Sequence, residues 1–189
     1  MLRKALLPVL GMIVITTAVL LFVVATDRSE LSVAAQTEMP AKPSAGYDIH
    51  VLAPHLVDGH QMGPYHHYCK VIGEGPQIQC LIYDNTEANS PLTQVEWIYA
   101  KSMTRENVPL KAWNKNWHDH AVEIAGGRVQ VLDMPADKAK EVADLVSTTD
   151  GMIYHFYYDG KLPNGKMSIA QAVGHKNLTA AELKNYSKK

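Results

Sequence analysis

His118 and His120 are separated by one residue, and on a strand both imidazoles would leave the same face. Two nitrogens at that spacing can reach one metal ion. His66 and His67 are adjacent, so on a strand they point to opposite faces, His66 with Tyr68 and His67 with Cys69, and only one can serve a given site. A third nitrogen from either, with a carboxylate from Glu96 or Glu123, would complete an N/O set suited to zinc, iron, manganese or copper. The cofactor such a set implies is one divalent transition metal. Glu96 stands between Val95 and Trp97 in an apolar strand, where a carboxylate has either to face solvent or to find a partner.

A plainer account of the same residues stands beside this one. The chain of 189 residues holds nine His and three Trp against two Phe, and histidines next to aromatics commonly act as half-buried hydrogen-bonding groups. His155, amid Tyr154, Phe156 and Tyr157, reads that way. His50, His55, His60 and His175 fall in turn-like sequence and read as solvated or locally bonded. Cys69 and Cys80 sit on the two arms of a hairpin, so a cross-strand disulfide is open to them if they oppose one another. The alternatives are two buried small apolar residues or soft metal ligands joining His67. There is no G-x-S-x-G nucleophile motif, no phosphate-cradling glycine loop and no dinucleotide fingerprint, and the catalytic residues stay unassigned.

The elements that must position these groups follow from period and turn chemistry. Tyr65–Ile72 and Gln77–Tyr83 are rich in aromatic and branched residues and flank the turn Gly73–Pro76, a hairpin. Leu92–Ala100 alternates Val95, Trp97 and Tyr99 with Gln94, Glu96 and Ile98, a strand. Glu106–Trp117 places Leu110, Trp113 and Trp117 three and four apart, a helix. His118–Ile124 and Arg128–Leu132 read as strands meeting at Gly126-Gly127. Ala136–Ser147 shows one helical face, Gly151–Tyr158 a further strand, and Thr179 with Glu182 a capping box opening a C-terminal helix. The class is α+β: a mixed, mainly antiparallel sheet with two or three helices, preceded by one N-terminal transmembrane helix.

That last element is the uncharged run from Ala5 to Thr26. At about 1.5 Å per residue it covers a hydrocarbon core of roughly 30 Å, whereas a signal-peptide apolar region is usually about 7–15 residues. A cleaved signal peptide with a cut after Ala25 is the competing reading. Arg3 and Lys4 would hold the N-terminus in the cytoplasm of a bacterial-type cell and send the rest across the membrane. The expected organisation is an anchor or signal peptide over 1–26, a flexible linker over 27–46 and a single domain over 47–189. The domain would stand on the periplasmic or extracellular side of a single-pass membrane protein, or be secreted or periplasmic after cleavage. The membrane is the expected partner, through that helix. A net charge of -1 with scattered basic residues leaves no extended positive face, so nucleic acid is not expected.

HHYC (His66–Cys69), QCLIYD (Gln79–Asp84), VEWI (Val95–Ile98), WHDH (Trp117–His120), Glu123 and DGKLPNG (Asp159–Gly165) together resemble the oil-body-associated protein family. The resemblance covers roughly residues 50–167, in several separated motifs in the same order, and excludes the N-terminal run. It implies association with lipid droplets in seeds and brings no catalytic residues, the family's biochemical activity being undefined. Plant members lack an N-terminal anchor, and their matching cysteines occur in reducing compartments, which counts against a disulfide. The functional expectation is a membrane-anchored extracytoplasmic domain of undefined activity that binds a ligand or partner at the lipid surface. The alternative is a His-based metal-binding protein or metalloenzyme using His66 or His67, Glu96, His118 and His120.

Overall fold

In β3 (Gln77–Tyr83, QIQCLIY) every second side chain is buried, the mark of a strand with one face against a core. The computed structural model describes residues 45–186. Around β3 stand β1 (Ile49–Val57), β2 (His60–Gly73), β4 (Leu92–Ala100), β7 (Thr149–Asp159) and β8 (Leu162–Ala172), with the short β5 (His118–Asp119) and β6 (Gln130–Leu132) beside them. All pairings are antiparallel. Running β2-β3-β4-β7-β8-β1, the order returns to β2 because β1 pairs with β8 through His55 and Leu56 and with β2 along its length. Six strands thus close into a ring, which removes the unpaired edges an open sheet would expose. β6 lies along the first half of β1, and β5 pairs with β7.

Inside the ring the core is Val57, Tyr65, Cys69, Ile78, Cys80, Ile82, Ile98, Ile153 and Ala170. The registers align these residues in rows: Cys69 opposes Cys80, Glu96 opposes Ile153, and Ile153 opposes Ala170. On the outer face of β4 and β7, Trp97 meets Tyr154 edge-on with ring centroids 5.6 Å apart. Of the two faces of β4 it is therefore the one carrying Gln94, Glu96 and Ile98 that is buried, and the aromatic one that is half-exposed.

Among the described residues five short helices accompany the sheet: α1 (Lys101–Asn107), α2 (Leu110–Asn116), α3 (His120–Ala125), α4 (Ala136–Val146) and α5 (Ala180–Lys184). The single helix expected over Glu106–Trp117 is broken, because Pro109 disfavours helical geometry at Val108, which is extended at φ -99 and ψ 123. Pro109 then opens α2. The strand expected over His118–Ile124 stops at Asp119, whose side chain accepts a hydrogen bond from Ala121 N and caps α3. β1 and β8 form where no strand was expected. α5 carries the capping box read from Thr179 and Glu182. α4 covers one mouth of the ring with no residue fully buried.

The fold class needs one correction. The segment Ala5–Thr26 and most of the expected linker lie outside the described residues. No helix among the described residues is long and apolar enough to cross a membrane. Over the described residues the architecture is a mostly antiparallel sheet with a few helices, none of which spans a membrane.

Candidate metal centre

Glu96 enters the ring from the middle of β4, while His118 and His120 enter where β5 gives way to α3. Between the two histidines Asp119 turns the other way, into a buried ion network. Asp119 receives Lys101 Nζ at 2.6 Å and Arg105 Nη2 at 2.7 Å. Arg105 also clamps Asp150 on β7 through Nε at 3.0 Å and Nη2 at 2.8 Å. Thr104 Oγ1 and Trp113 Nε1 donate to the same carboxylate at 2.6 and 2.9 Å. Asp150 is completely buried, and a buried carboxylate is tolerated only with partners of this number and kind. β5 is thereby pinned to β7, His118 opposite Gly151 and Asp119 opposite Asp150. The two histidines converge because a strand ends and a helix begins between them, not through the strand alternation expected from their spacing.

Glu96 Oε1 lies 3.2 Å from His118 Nε2 and 3.1 Å from His120 Nε2, and the two nitrogens are 3.3 Å apart. The three residues are buried, with exposures of 3%, 1% and 4%, and form a group whose ligand atoms could hold one metal ion. Ligand atoms about 2.1 Å from a common ion stand about 3.0–3.4 Å apart at bond angles from 90° to 109°. The observed triangle has that size. Glu123, from α3, adds a carboxylate oxygen 3.8 Å from His118 Nε2. Gly151 faces the same point: a Cβ there would collide with Glu96 Oε1 and come within 2.7 Å of His118 Nε2 and 2.8 Å of His120 Cε1. Only glycine leaves the space open.

The protons on His120 can be assigned from its neighbours. Thr149 Oγ1 donates its single proton to the carbonyl oxygen of Val146 at 2.6 Å, since a carbonyl can only accept. It therefore accepts from His120 Nδ1–H at 2.9 Å. With Nδ1–H fixed there, it is Nε2 of His120 that faces Glu96, either as a donor to the carboxylate or, once that proton is displaced, as the lone pair a metal ligand needs.

Burial opposes charge on all these groups; the mutual pairing overcomes it at Glu96 and His120, and burial prevails at Glu123, His55 and His67. Burial would raise Glu96, but hydrogen bonds from His118 and His120 hold its carboxyl well below the usual range. Burial would lower His120, yet the hydrogen bond and charge of Glu96 leave it raised. Glu123 is raised by burial, against the opposing pull of His118 and His120. His55 is lowered to about 3 by burial and by His67, and His67 is lowered chiefly by burial.

Of the residues singled out from the sequence, the ring brings together Glu96, His118, His120 and, with its Nε2 4.0 Å from Glu96 Oε2, His67. His66 is corrected: it points away from the ring and meets His50 at 2.9 Å, with His50 in turn 2.5 Å from Asp133. His50 and His55 are buried on β1, not solvated in turns. Cys69 and Cys80 are joined by a disulfide. His55, Thr149, Gly151, Arg105 and Asp150 were missed as contributors, although a glycine directly before an apolar strand, as at Asp150-Gly151, is a sign of close approach that could have flagged one of them.

These polar groups line a cavity of about 60 Å³ together with apolar side chains, among them Val51, Ile78, Ile98, Val131, Val142 and Val146. That is room for a few waters, or an ion with a small ligand.

Comparison with known proteins bears out the resemblance read from the separated motifs. The chain is 32% identical over 111 residues to oil body-associated protein 1B of Arabidopsis thaliana, covering 57% of this chain and 45% of that protein. It is 30% identical over 92 residues to oil body-associated protein 1A of Zea mays, covering 49% of this chain and 37% of that protein. The matched stretch thus spans less than half of either relative. No solved structure matches. The bacterial, membrane-anchored setting is not something these matches show. A family model described as "Protein of unknown function (DUF1264)" matches residues 41–189, which takes in the whole ring and its histidines, and the chain belongs to that family.

Proposed function

We propose that this oil-body-associated-like domain is a metal-binding module that holds a divalent transition ion on Glu96, His118 and His120. The observation that carries the reading is the triangle of Glu96 Oε1, His118 Nε2 and His120 Nε2, 3.1–3.3 Å on every side, in a buried place that Gly151 keeps clear. A carboxylate facing two imidazole nitrogens away from water is costly unless a cation or a proton lies among them. Two nitrogens and one oxygen suit zinc, manganese or iron, with Glu123 at hand as a further oxygen donor. The apolar walls would receive the hydrocarbon part of a small molecule whose polar group reaches the ion.

Elemental analysis of the full chain, purified without chelator, tests this. The expected result is at least one firmly held transition ion per chain, with one ion lost in the double variant His118→Ala, His120→Ala. Unchanged metal content in that variant would end the reading.

A second reading, docking at a lipid surface, has one observation in its favour. Leu162 and Met167 are 73% and 63% exposed, and Met167 borders the half-exposed aromatic row of Trp97 and Tyr154. The names of the two relatives point the same way. Flotation of the protein with phospholipid-coated triolein droplets, compared with a Leu162→Asp, Met167→Asp variant, tests it; equal flotation of the two proteins excludes this face.

A further inference from the structure

Beside the first cluster, in the same cavity, stand two more imidazoles with an unusual arrangement. His55 on β1 and His67 on β2 are both buried, and their Nε2 atoms are 2.9 Å apart. Each ring's other nitrogen faces an oxygen that only accepts. His67 Nδ1 is 3.0 Å from the carbonyl oxygen of Tyr65, and His55 Nδ1 is 2.7 Å from Gln94 Oε1. With the Gln94 amide oxygen turned to His55, both Nδ1 atoms carry the proton, and the two neutral rings turn bare Nε2 lone pairs toward one another. Lone pairs at that distance repel unless something positive lies between them. The separation also suits two ligands at about 2.1 Å from one ion at a right angle.

Glu96 links this pair to the first. Its Oε1 is taken by His118 and His120, and its Oε2 faces His67 Nε2 at 4.0 Å. A single carboxylate thus presents one oxygen to each histidine pair, the arrangement of a bridging ligand between two ions.

We infer that the cavity holds two metal ions, the second on His55 and His67, with Glu96 bridging it to the first on His118 and His120. The inference rests on the metal-binding reading above and adds a second position to it. A centre of this kind can activate water on one ion while the other holds an oxygen of the substrate, which places small esters or phosphoesters, cleaved by that water into an acid and an alcohol, among the molecules it could act on. The competing assignment turns the Gln94 amide so that Nε2, which is buried without a partner, donates to His55. An ordinary N–H then joins the two rings, and there is a single ion.

The test is Mn(II) loading of the full chain, with metal content by elemental analysis and electron paramagnetic resonance of the loaded protein. Two ions per chain with an exchange-coupled spectrum are expected, falling to one uncoupled ion in His55→Gln and in His67→Gln. The wild-type stoichiometry and spectrum decide the matter even if neither variant folds. Saturation at one uncoupled ion, or retention of two ions in both variants, overturns the second position and leaves the first intact. A wild-type protein that takes up no ion overturns both.

Discussion

Cys80 and Glu96 are direct cross-strand partners, so the carboxylate at the heart of the cavity stands one strand from a disulfide. Cys69 and Cys80 close a short loop, separated by 11 residues in sequence, and a bridge of that span adds about 2–3 kcal/mol. Reduction with a strong thiol, or the Cys69→Ala, Cys80→Ala double variant, should lower stability by that amount in urea denaturation. It should also weaken metal retention, because the β2–β3 wall beside Glu96 and His67 is no longer cross-linked. Unchanged retention would mean that β4 is fixed by its other neighbour, β7, alone.

Gly151→Ala should weaken ion binding while keeping the fold. The added methyl meets the ligand atoms of Glu96, His118 and His120. The expected result is a loss of affinity of tenfold or more, about 1.4 kcal/mol, with circular dichroism unchanged and some stability lost to crowding. Full metal content in this variant would show that the ion sits elsewhere.

Thr149→Val leaves the shape of the side chain but takes away the acceptor that holds His120 Nδ1–H. Loss of such a supporting partner typically lowers metal affinity about 10–100-fold. Thr149→Ser should restore it, and an isothermal titration with Zn(II) on all three proteins reads the difference.

Arg105→Met should destabilise the domain strongly, by about 3–5 kcal/mol, because Asp150 would be left charged and buried with too few partners. Thermal unfolding monitored by tryptophan fluorescence is well suited, Trp113 being a member of the same network. A fall of less than about 1 kcal/mol would contradict the role given to this ion pair.

Stripping the protein with a chelator should lower its Tm. An ion present at about a hundred times its Kd adds about 2.7 kcal/mol to folding, a shift of roughly 5–15 °C for a domain of this size. Restoring Zn(II) or Mn(II) should recover it, and a Tm indifferent to chelator speaks against a bound ion.

The sequence was informative where pattern is local. Gln77–Tyr83 and Leu92–Ala100 form strands with the bounds that their alternation suggests, because each pairs with a sequence neighbour across a short connection. The divergence of His66 and His67 also followed from the pleat alone. What could not be read was the closing of the ring. β1 holds Pro54 and two histidines, and β8 opens on Leu162-Pro-Asn-Gly, so both look like turns until β1 is paired with β2, β6 and β8. His55 went unrecognised for that reason, since its inward direction depends on contacts more than a hundred residues away. Likewise nothing in a run of residues says that Arg105, Asp119 and Asp150 will meet.

The loosely seated α4 has a consequence for time scales. Its Val142, Ala143 and Val146 line the cavity, yet none of them is fully buried, whereas β3 is paired along its length on both edges. Its amide hydrogens should therefore exchange with deuterium well before those of β3 and β4, by local opening rather than by unfolding. Traffic in and out of the interior would then keep pace with the breathing of one helix, not with the lifetime of the native state.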